Sequence, residues 1–282
     1  MRIRTLSIIG VGLLGGSIGL AAKKRMKGVR VVGYGHRRST LQRALELKAI
    51  DEAAESLSEA VADADLVILC TPVGQFRQIL TDIRAHLTPY AIVTDVGSTK
   101  ASVVKWGEKL IGGRFVGSHP MAGSEKRGVD FARADLFEKA LCILTPTPRS
   151  DPAAVKTIET FWKTLGSNLT RRSPHEHDRM LAEVSHLPHV LAAALMGIPD
   201  QAALKLCGKG FLDTTRIAAG DGALWRDILL DNGPNLLTSL SKLRRELQTV
   251  ERLIKDNDGA ALRRWLDDRR RKRESLGPRN SA

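Results

Sequence analysis

No stretch of the 282-residue chain stays apolar for the roughly 18 residues that a membrane span needs. The opening segment MRIRTLSIIGVG has too short an apolar part and too much glycine for a secretory signal peptide. Cysteine is scarce: Cys70, Cys142 and Cys207 are far apart, odd in number and in no metal-ligand spacing. They read as buried small hydrophobes of a cytoplasmic protein rather than a disulfide framework, and no metal site is expected. Acid is scarce where the basic residues gather. Residues 1–50 hold 11 basic residues against one acid, and residues 241–282 hold 13 against 7. The middle, 51–240, holds 20 against 23, so the net charge of +13 comes from the two ends. The run RRRKRE near the C-terminus has no interleaved aromatics and matches no nucleic-acid motif. It reads as a solvated helix end, and neither nucleic acid nor membrane is expected as a partner.

What is present is an ordinary globular composition, 43% hydrophobic, which excludes a disordered chain. Short β-rich runs (Leu6–Ile9, Val29–Tyr34, Leu66–Cys70, Ile92–Val96, Phe115–Ser118, Leu141–Leu144) alternate with amphipathic stretches such as Ser17–Lys27, Thr40–Lys48 and Gln75–His86. Several runs are apolar throughout, as strands covered on both faces are, so the alternation predicts a parallel sheet with helices on both sides. The pattern changes near Thr145, where TPTPRSDP carries three prolines in eight residues and reads as a linker. Beyond it no strand is expected. Asp178–Met196 has a helical period that Pro188 should interrupt, and Asn235–Ile254 is apolar along one helical face. The expected organisation is an α/β domain over residues 1–150, an all-helical domain over 151–274 and a disordered tail over 275–282.

Residues 5–20, TLSIIGVGLLGGSIGL, place Gly10, Gly12 and Gly15 in G-x-G-x-x-G directly after an apolar strand and at the start of a helix. In that context the motif has a mechanism. Gly10 permits the tight turn, Gly12 lets backbone approach a pyrophosphate, Gly15 lets helix pack on strand, and the amides of the first turn, at Leu13 and Leu14, face the anion. The strand ends carrying Thr71 and Pro72, Ser98, and His119 should converge on the same crevice. A strand that ends in Asp or Glu after such a turn usually holds the ribose 2′-hydroxyl of NAD. Here residues 31–40 contain no acid and instead supply His36, Arg37, Arg38 and Ser39. Arginine and hydroxyl groups suit a 2′-phosphate, so NADP is expected to be preferred, with NAD possible.

His119, held at a strand end by Pro120, can accept a proton from a substrate hydroxyl near neutral pH. A second cluster, SHLPH, supplies Ser185, His186 and His189; with His175 and His177 nearby it reads as cleft lining rather than a metal site. A third, KGFLDTTRIAAGDGALWRD, places Arg216 three residues after Asp213, where the guanidinium is either a carboxylate clamp or half of a surface ion pair.

Five segments in order, GVGLLGGSIGLA, DVGSTK, GSHPMAGSEKRGVDFA, SHLPH and GFLDTTRIA…LWRD, make the chain resemble the prephenate/arogenate dehydrogenase family of tyrosine biosynthesis from residue 5 to about 255. The resemblance implies a Rossmann-type, doubly wound parallel sheet followed by an all-helical domain that dimerises. It implies an oxidative decarboxylation, in which a cyclohexadienol gives hydride from ring carbon 4 to NAD(P) and loses its ring carboxylate as carbon dioxide. His119 would take the ring hydroxyl's proton, Ser98 would hydrogen-bond the same hydroxyl or the nicotinamide region, and Arg216 would bind a substrate carboxylate. Ser124, Glu125, Ser185, His189 and Asp213 match positions lining the substrate pocket in relatives, and Trp225 one near the subunit interface. Where relatives often have Ser-Asp-Pro, this chain has Gly220-Asp221-Gly222. Whether prephenate or arogenate is preferred is left open by these residues. A two-domain hydroxyacid dehydrogenase or imine reductase shares the glycine turn, but lacks the His-Pro-Met-Ala-Gly-Ser-Glu segment.

Overall fold

The strands richest in buried apolar residues lie at the centre of a parallel sheet, because both of its faces are covered by helices. The structure, a computed structural model, describes residues 2–123 and 126–277. In chain order the first part comprises β1 (Thr5–Ile9), α1 (Leu13–Arg25), β2 (Arg30–Tyr34), α2 (Arg38–Glu46), β3 (Glu52–Ala53), α3 (Leu57–Val61), β4 (Leu66–Leu69), α4 (Phe76–Ile83), β5 (Ile92–Asp95), α5 (Ala101–Ile111), β6 (Gly117–Pro120), β7 (Leu141–Thr145), α6 (Pro152–Thr164) and β8 (Asn168–Arg171). Strands β1 to β5 form a parallel sheet in the order β3-β2-β1-β4-β5, so the order reverses between β1 and β4. Leu6, Ile8, Leu66, Ile68 and Val93 are fully buried on it. The crevice outside the strand ends at such a reversal is where ligands bind in this architecture.

Strand β6 continues this sheet through a parallel bridge between Val93 and Phe115 and a 3.0 Å bond from the Val116 N–H to the Val93 carbonyl. It departs from the expected all-parallel pattern by pairing antiparallel with β7, with no α-helix between the two strands among the described residues. The expectation of no strand after about residue 150 is also corrected. Strand β8 pairs parallel with β7 and carries the sheet past that boundary to Arg171. Its sequence NLTR is short and polar, as an edge strand can be, and carries no apolar run to reveal it. The proline-rich segment is a loop inside the sheet domain, ending where Asp151 caps α6 by accepting the Ala153 N–H at 2.8 Å.

Beyond β8 all described elements are helical: α7 (Pro174–Leu181), α8 (Leu187–Met196), α9 (Gln201–Leu204), α10 (Lys209–Thr215), α11 (Gly222–Asp231), α12 (Gly233–Lys255) and α13 (Gly259–Glu274). Pro188 does not interrupt the helix as expected. Residues Ala182–His186 widen into one π turn closed by the Leu187 N–H on the Ala182 carbonyl, and the helix runs on into α8 with proline in its first turn, where its missing N–H is tolerated. The basic run lies on α13, exposed and flanked by Asp267, Asp268 and Glu274. Arg269 pairs with Glu246 at 2.7 Å and lies over the Trp265 ring, and Arg270 pairs with Asp267 and Glu274. Residues 275–277 follow α13, and the remainder of the expected tail, 278–282, lies outside the described residues. Of the cysteines only Cys142 is buried; Cys70 is half-buried and Cys207 exposed, against expectation, because Cys207 lies in the surface turn between α9 and α10. Among the described residues no helix is long and apolar enough to cross a membrane.

Candidate active site

The glycine turn has the geometry its spacing requires. Gly10 adopts φ +101°, and a Cβ there would stand 2.8 Å from the Cys70 carbonyl carbon and 2.9 Å from the Thr71 methyl. A Cβ on Gly15 would fall 2.2 Å from the Gly10 carbonyl oxygen, so only glycine lets α1 start this close to β1. Gly12, the residue before α1, has nothing within 4 Å of that position among the described residues, and no side chain caps the helix. The uncapped amides of Leu13 and Leu14 therefore open onto free space at the strand-order reversal, as a pyrophosphate site demands. Thr71 lies at the neighbouring end of β4, its buried Oγ1 without a hydrogen-bond partner among the described residues, and Pro72 beside it is exposed. An open cradle, an uncapped helix start and an orphaned hydroxyl together fit a dinucleotide.

Past the end of β2, His36, Arg37, Arg38 and Ser39 are all exposed, with Arg37 immediately before α2 and its side chain making no capping bond. The sequence window contained no acid, but the fold brings one from outside it. Glu55, after β3, accepts a hydrogen bond from Arg38 at 3.0 Å, in a pair whose side chains are 88% and 74% exposed. Water screens such a pair heavily, so it exchanges readily for a stronger anion.

His119 lies within β6 rather than after it, and is buried. Its strand is held by its neighbour Ser118. The Ser118 hydroxyl donates to the Asp95 carbonyl at 2.5 Å and receives the Trp162 indole N–H at 3.1 Å, while its backbone N–H reaches Asp95 Oδ1 at 3.2 Å. Asp95 is salt-linked to the fully buried Lys100, and burial pushes its carboxyl pKa up against that pull. His119 lines a cleft of about 890 Å³ together with Leu13 of the glycine turn. Burial, reinforced by His177, Lys100 and His186, holds the His119 pKa well below its ordinary value, so the ring is neutral at pH 7. His119 Nδ1 lies 2.9 Å from His177 Nε2, and His177 Nδ1 lies 2.8 Å from Asp178 Oδ1. Asp178 in turn accepts the backbone N–H groups of Lys100 and Ala101, each at 2.8 Å, and so closes the start of α5 just after Ser98.

Ser98 is half-buried in the β5–α5 loop, its backbone against the His186 ring. Burial brings the His186 pKa down to about 4. Asn232, at the start of α12, bonds both the Asp178 carbonyl at 2.7 Å and His186 Nδ1 at 3.0 Å, drawing the helical part onto the site. Ser185 is half-buried on the π turn. His189 is buried and stacked on Trp225, with ring centroids 3.6 Å apart and planes 11° from parallel. That stack accounts for Gly220: a Cβ there would meet the Trp225 indole nitrogen at 2.5 Å and the His189 ring at 3.0 Å. Asp221 caps α11 through the Leu224 N–H at 2.6 Å and pairs with Arg127.

The third cluster is spread out. Asp213 turns to Lys209 at 2.7 Å on the exposed face of α10, and Arg216 is exposed at the start of the following 3-10 turn. Ser124 and Glu125 lie outside the described residues. The groups not anticipated around His119 are His177 as its direct partner, Asp178, Lys100 and Asn232. Pro174, His177, Asp178 and Leu181 form the buried stripe of α7. Two polar side chains on an i, i+3, i+4, i+7 stripe were the available signal.

A family model for the prephenate dehydrogenase nucleotide-binding domain matches residues 18–171, and one for the prephenate dehydrogenase dimerization domain matches residues 173–268. The chain belongs to the prephenate dehydrogenase family. Prephenate dehydrogenase of Bacillus subtilis (strain 168) is 36% identical, over 96% of this chain and 76% of its own. Among solved structures, the Aquifex aeolicus prephenate dehydrogenase in complex with hydroxyphenyl propionate and NAD+ superposes with a TM-score of 0.93 at 33% identity, covering 98% of this chain and 99% of that one. The Synechocystis arogenate dehydrogenase superposes with a TM-score of 0.83 at 33% identity, covering 96% and 99%. The two family domains meet after β8, in agreement with the strand pairing rather than with a boundary near residue 150.

Proposed function

We propose that this chain oxidises and decarboxylates prephenate, to 4-hydroxyphenylpyruvate, or arogenate, to tyrosine, as a cytoplasmic enzyme of tyrosine biosynthesis. The observation that carries the reading is that the neutral, buried His119 lines the same cleft as Leu13 of the dinucleotide turn. A nicotinamide cofactor, when bound, supplies the acceptor for the hydride leaving ring carbon 4. The chain's own groups do the rest. His119 takes the proton of the ring hydroxyl as its carbon–oxygen bond becomes a carbonyl. Ser98 orients that oxygen. The ring carboxylate then leaves as carbon dioxide, its bonding electrons entering the ring, and the oxygen recovers a proton as the phenol forms. Arg216 binds a substrate carboxylate, with Ser185 and His189 lining the remainder of the pocket.

NADP is preferred over NAD in this reading. The exposed His36, Arg37, Arg38 and Ser39 receive the 2′-phosphate, which displaces Glu55 from Arg38. The enzyme acts as a homodimer through its helical domain, whose surface exposes Val184, Ile198, Leu206, Leu230, Leu237 and Ile254, each more than half accessible. The test is an assay of the purified chain with prephenate and with arogenate, each with NADP and NAD, following reduced cofactor and identifying the product. Stoichiometric 4-hydroxyphenylpyruvate or tyrosine, with higher kcat/KM for NADP, supports the reading; no turnover of either substrate refutes it.

A further inference from the structure

The hydrogen-bond chain behind His119 has no role in the chemistry above. It starts at the end of β6 and crosses to α7. Among the described residues, Asp178 is the acid hydrogen-bonded to it. Burial opposes its ionisation, but the His177 N–H and the Ala101 and Lys100 amides outweigh that and hold its carboxyl below the usual range. A carboxylate offers only acceptors, so His177 must present Nδ1–H to it. Burial also lowers the His177 pKa, against the pull of Asp178, so this ring is neutral and its Nε2 carries only a lone pair. A lone pair there requires the facing Nδ1 of His119 to bear the hydrogen. His119 is itself neutral, so its Nε2 is left bare. The charged and titratable groups facing these two rings are Asp95 from β5, Lys100 from the α5 start, His186 from the π turn and Asp178 from α7.

We propose that His177 and Asp178 are positioning residues for His119. They fix it as the tautomer with Nδ1 protonated and Nε2 bare, and they hold the imidazolium that forms when Nε2 takes a proton. The tautomer assignment stands on the hydrogen-bond geometry; its catalytic consequence rests on His119 being the base proposed above. The net step is one proton moving from the substrate hydroxyl to Nε2, with the Nδ1–H retained and donated to His177. A third group that orients a histidine in this way matters because the wrong tautomer presents N–H where a lone pair is needed, at a cost of about 10⁴-fold in a well-studied hydrolase triad.

The experiment has a spectroscopic arm and a kinetic arm, both on the full chain. In the first, ¹⁵N-histidine NMR of the ligand-free protein at neutral pH, assigned by the signals lost in His119→Asn, reports the protonation of each ring nitrogen. An imine-type Nε2 and a pyrrole-type Nδ1 are expected for His119; the reverse overturns the proposal whether or not any substrate turns over. In the second, His177→Gln, whose side-chain carbonyl can still accept from Nδ1–H, is compared with His177→Leu, which cannot. The Leu variant should lose about 10²–10⁴-fold in kcat. The Gln variant should stay within about tenfold of the parent, and both should keep the parent's cofactor Kd. Equal kcat in the two variants overturns the positioning role. If the parent turns over neither substrate, the proposed function fails while the NMR arm still decides the tautomer.

Discussion

Acid should unfold this protein in a window set by its buried histidines, and His186 allows the size to be worked out. The ring is buried, and burial lowers its pKa to about 4 against the pull of Asp178 and the Ser98 backbone. In the unfolded chain the same ring titrates near 6.5. Below that value the unfolded state binds a proton that the folded state refuses, so the stabilisation is complete above about pH 6.5 and is lost as pH falls towards 4. At pH 5 the unfolded ring is almost fully protonated and the folded ring still mostly neutral. The difference is about 1.5 pH units of linkage, or about 2 kcal/mol at 1.36 kcal/mol per unit. His119, His177 and His189, also lowered mainly by burial, act in the same direction. Asp178 is silent in this window, because a lowered carboxyl loses its contribution only below the ordinary carboxylate range. The assay is urea unfolding at pH 7 and pH 5, at one protein concentration, for the parent and His186→Gln, whose amide can still meet Asn232. Between the two pH values the parent should lose about 2 kcal/mol more than the variant. Equal losses would refute the assignment of a buried, neutral His186.

The glycine turn separates folding from cofactor binding. The Gly12→Ala methyl meets nothing within 4 Å among the described residues, so its Tm should stay within about 2 °C of the parent while cofactor Kd by calorimetry rises at least about tenfold. Gly15→Ala, 2.2 Å from the Gly10 carbonyl oxygen, should lower Tm as well. Arg38→Ala should reduce kcat/KM with NADP about tenfold or more and leave NAD within about threefold, since only the first cofactor offers a 2′-phosphate. Arg216→Ala should raise KM for the substrate with a smaller change in kcat, by about 1.5–3 kcal/mol for a charged hydrogen bond; an unchanged KM places the guanidinium outside the pocket.

The parts of the fold legible in the sequence are those where one physical requirement dominates. Leu66–Leu69 and Ile92–Asp95 lie in the apolar runs expected of doubly covered strands, and Gly10 and Gly15 occupy positions where a side chain has no room. What escaped is set by long-range contact. Strand β8 is a polar edge that exists because β7 is beside it. The π turn absorbs Pro188 because its widened bonding leaves the missing N–H without consequence. The absence of acid after β2 was visible, but Glu55, 17 residues beyond Arg38, reaches it only through the fold. His119 was legible from its strand end and its proline. Its partners on α7 lie 58 residues and more away in sequence and become neighbours only when the helical part docks on the start of α5.

The most direct test of the central claim is His119→Asn, compared with the parent in kcat and in cofactor Kd. Losing a general base typically costs about 10²–10⁴-fold, and His119 lines the cleft without being part of the glycine turn. The expected result is a kcat lowered by that factor with the cofactor Kd, by calorimetry, within about threefold of the parent. A kcat within about threefold of the parent would contradict the assignment of His119 as the group that takes the substrate's proton.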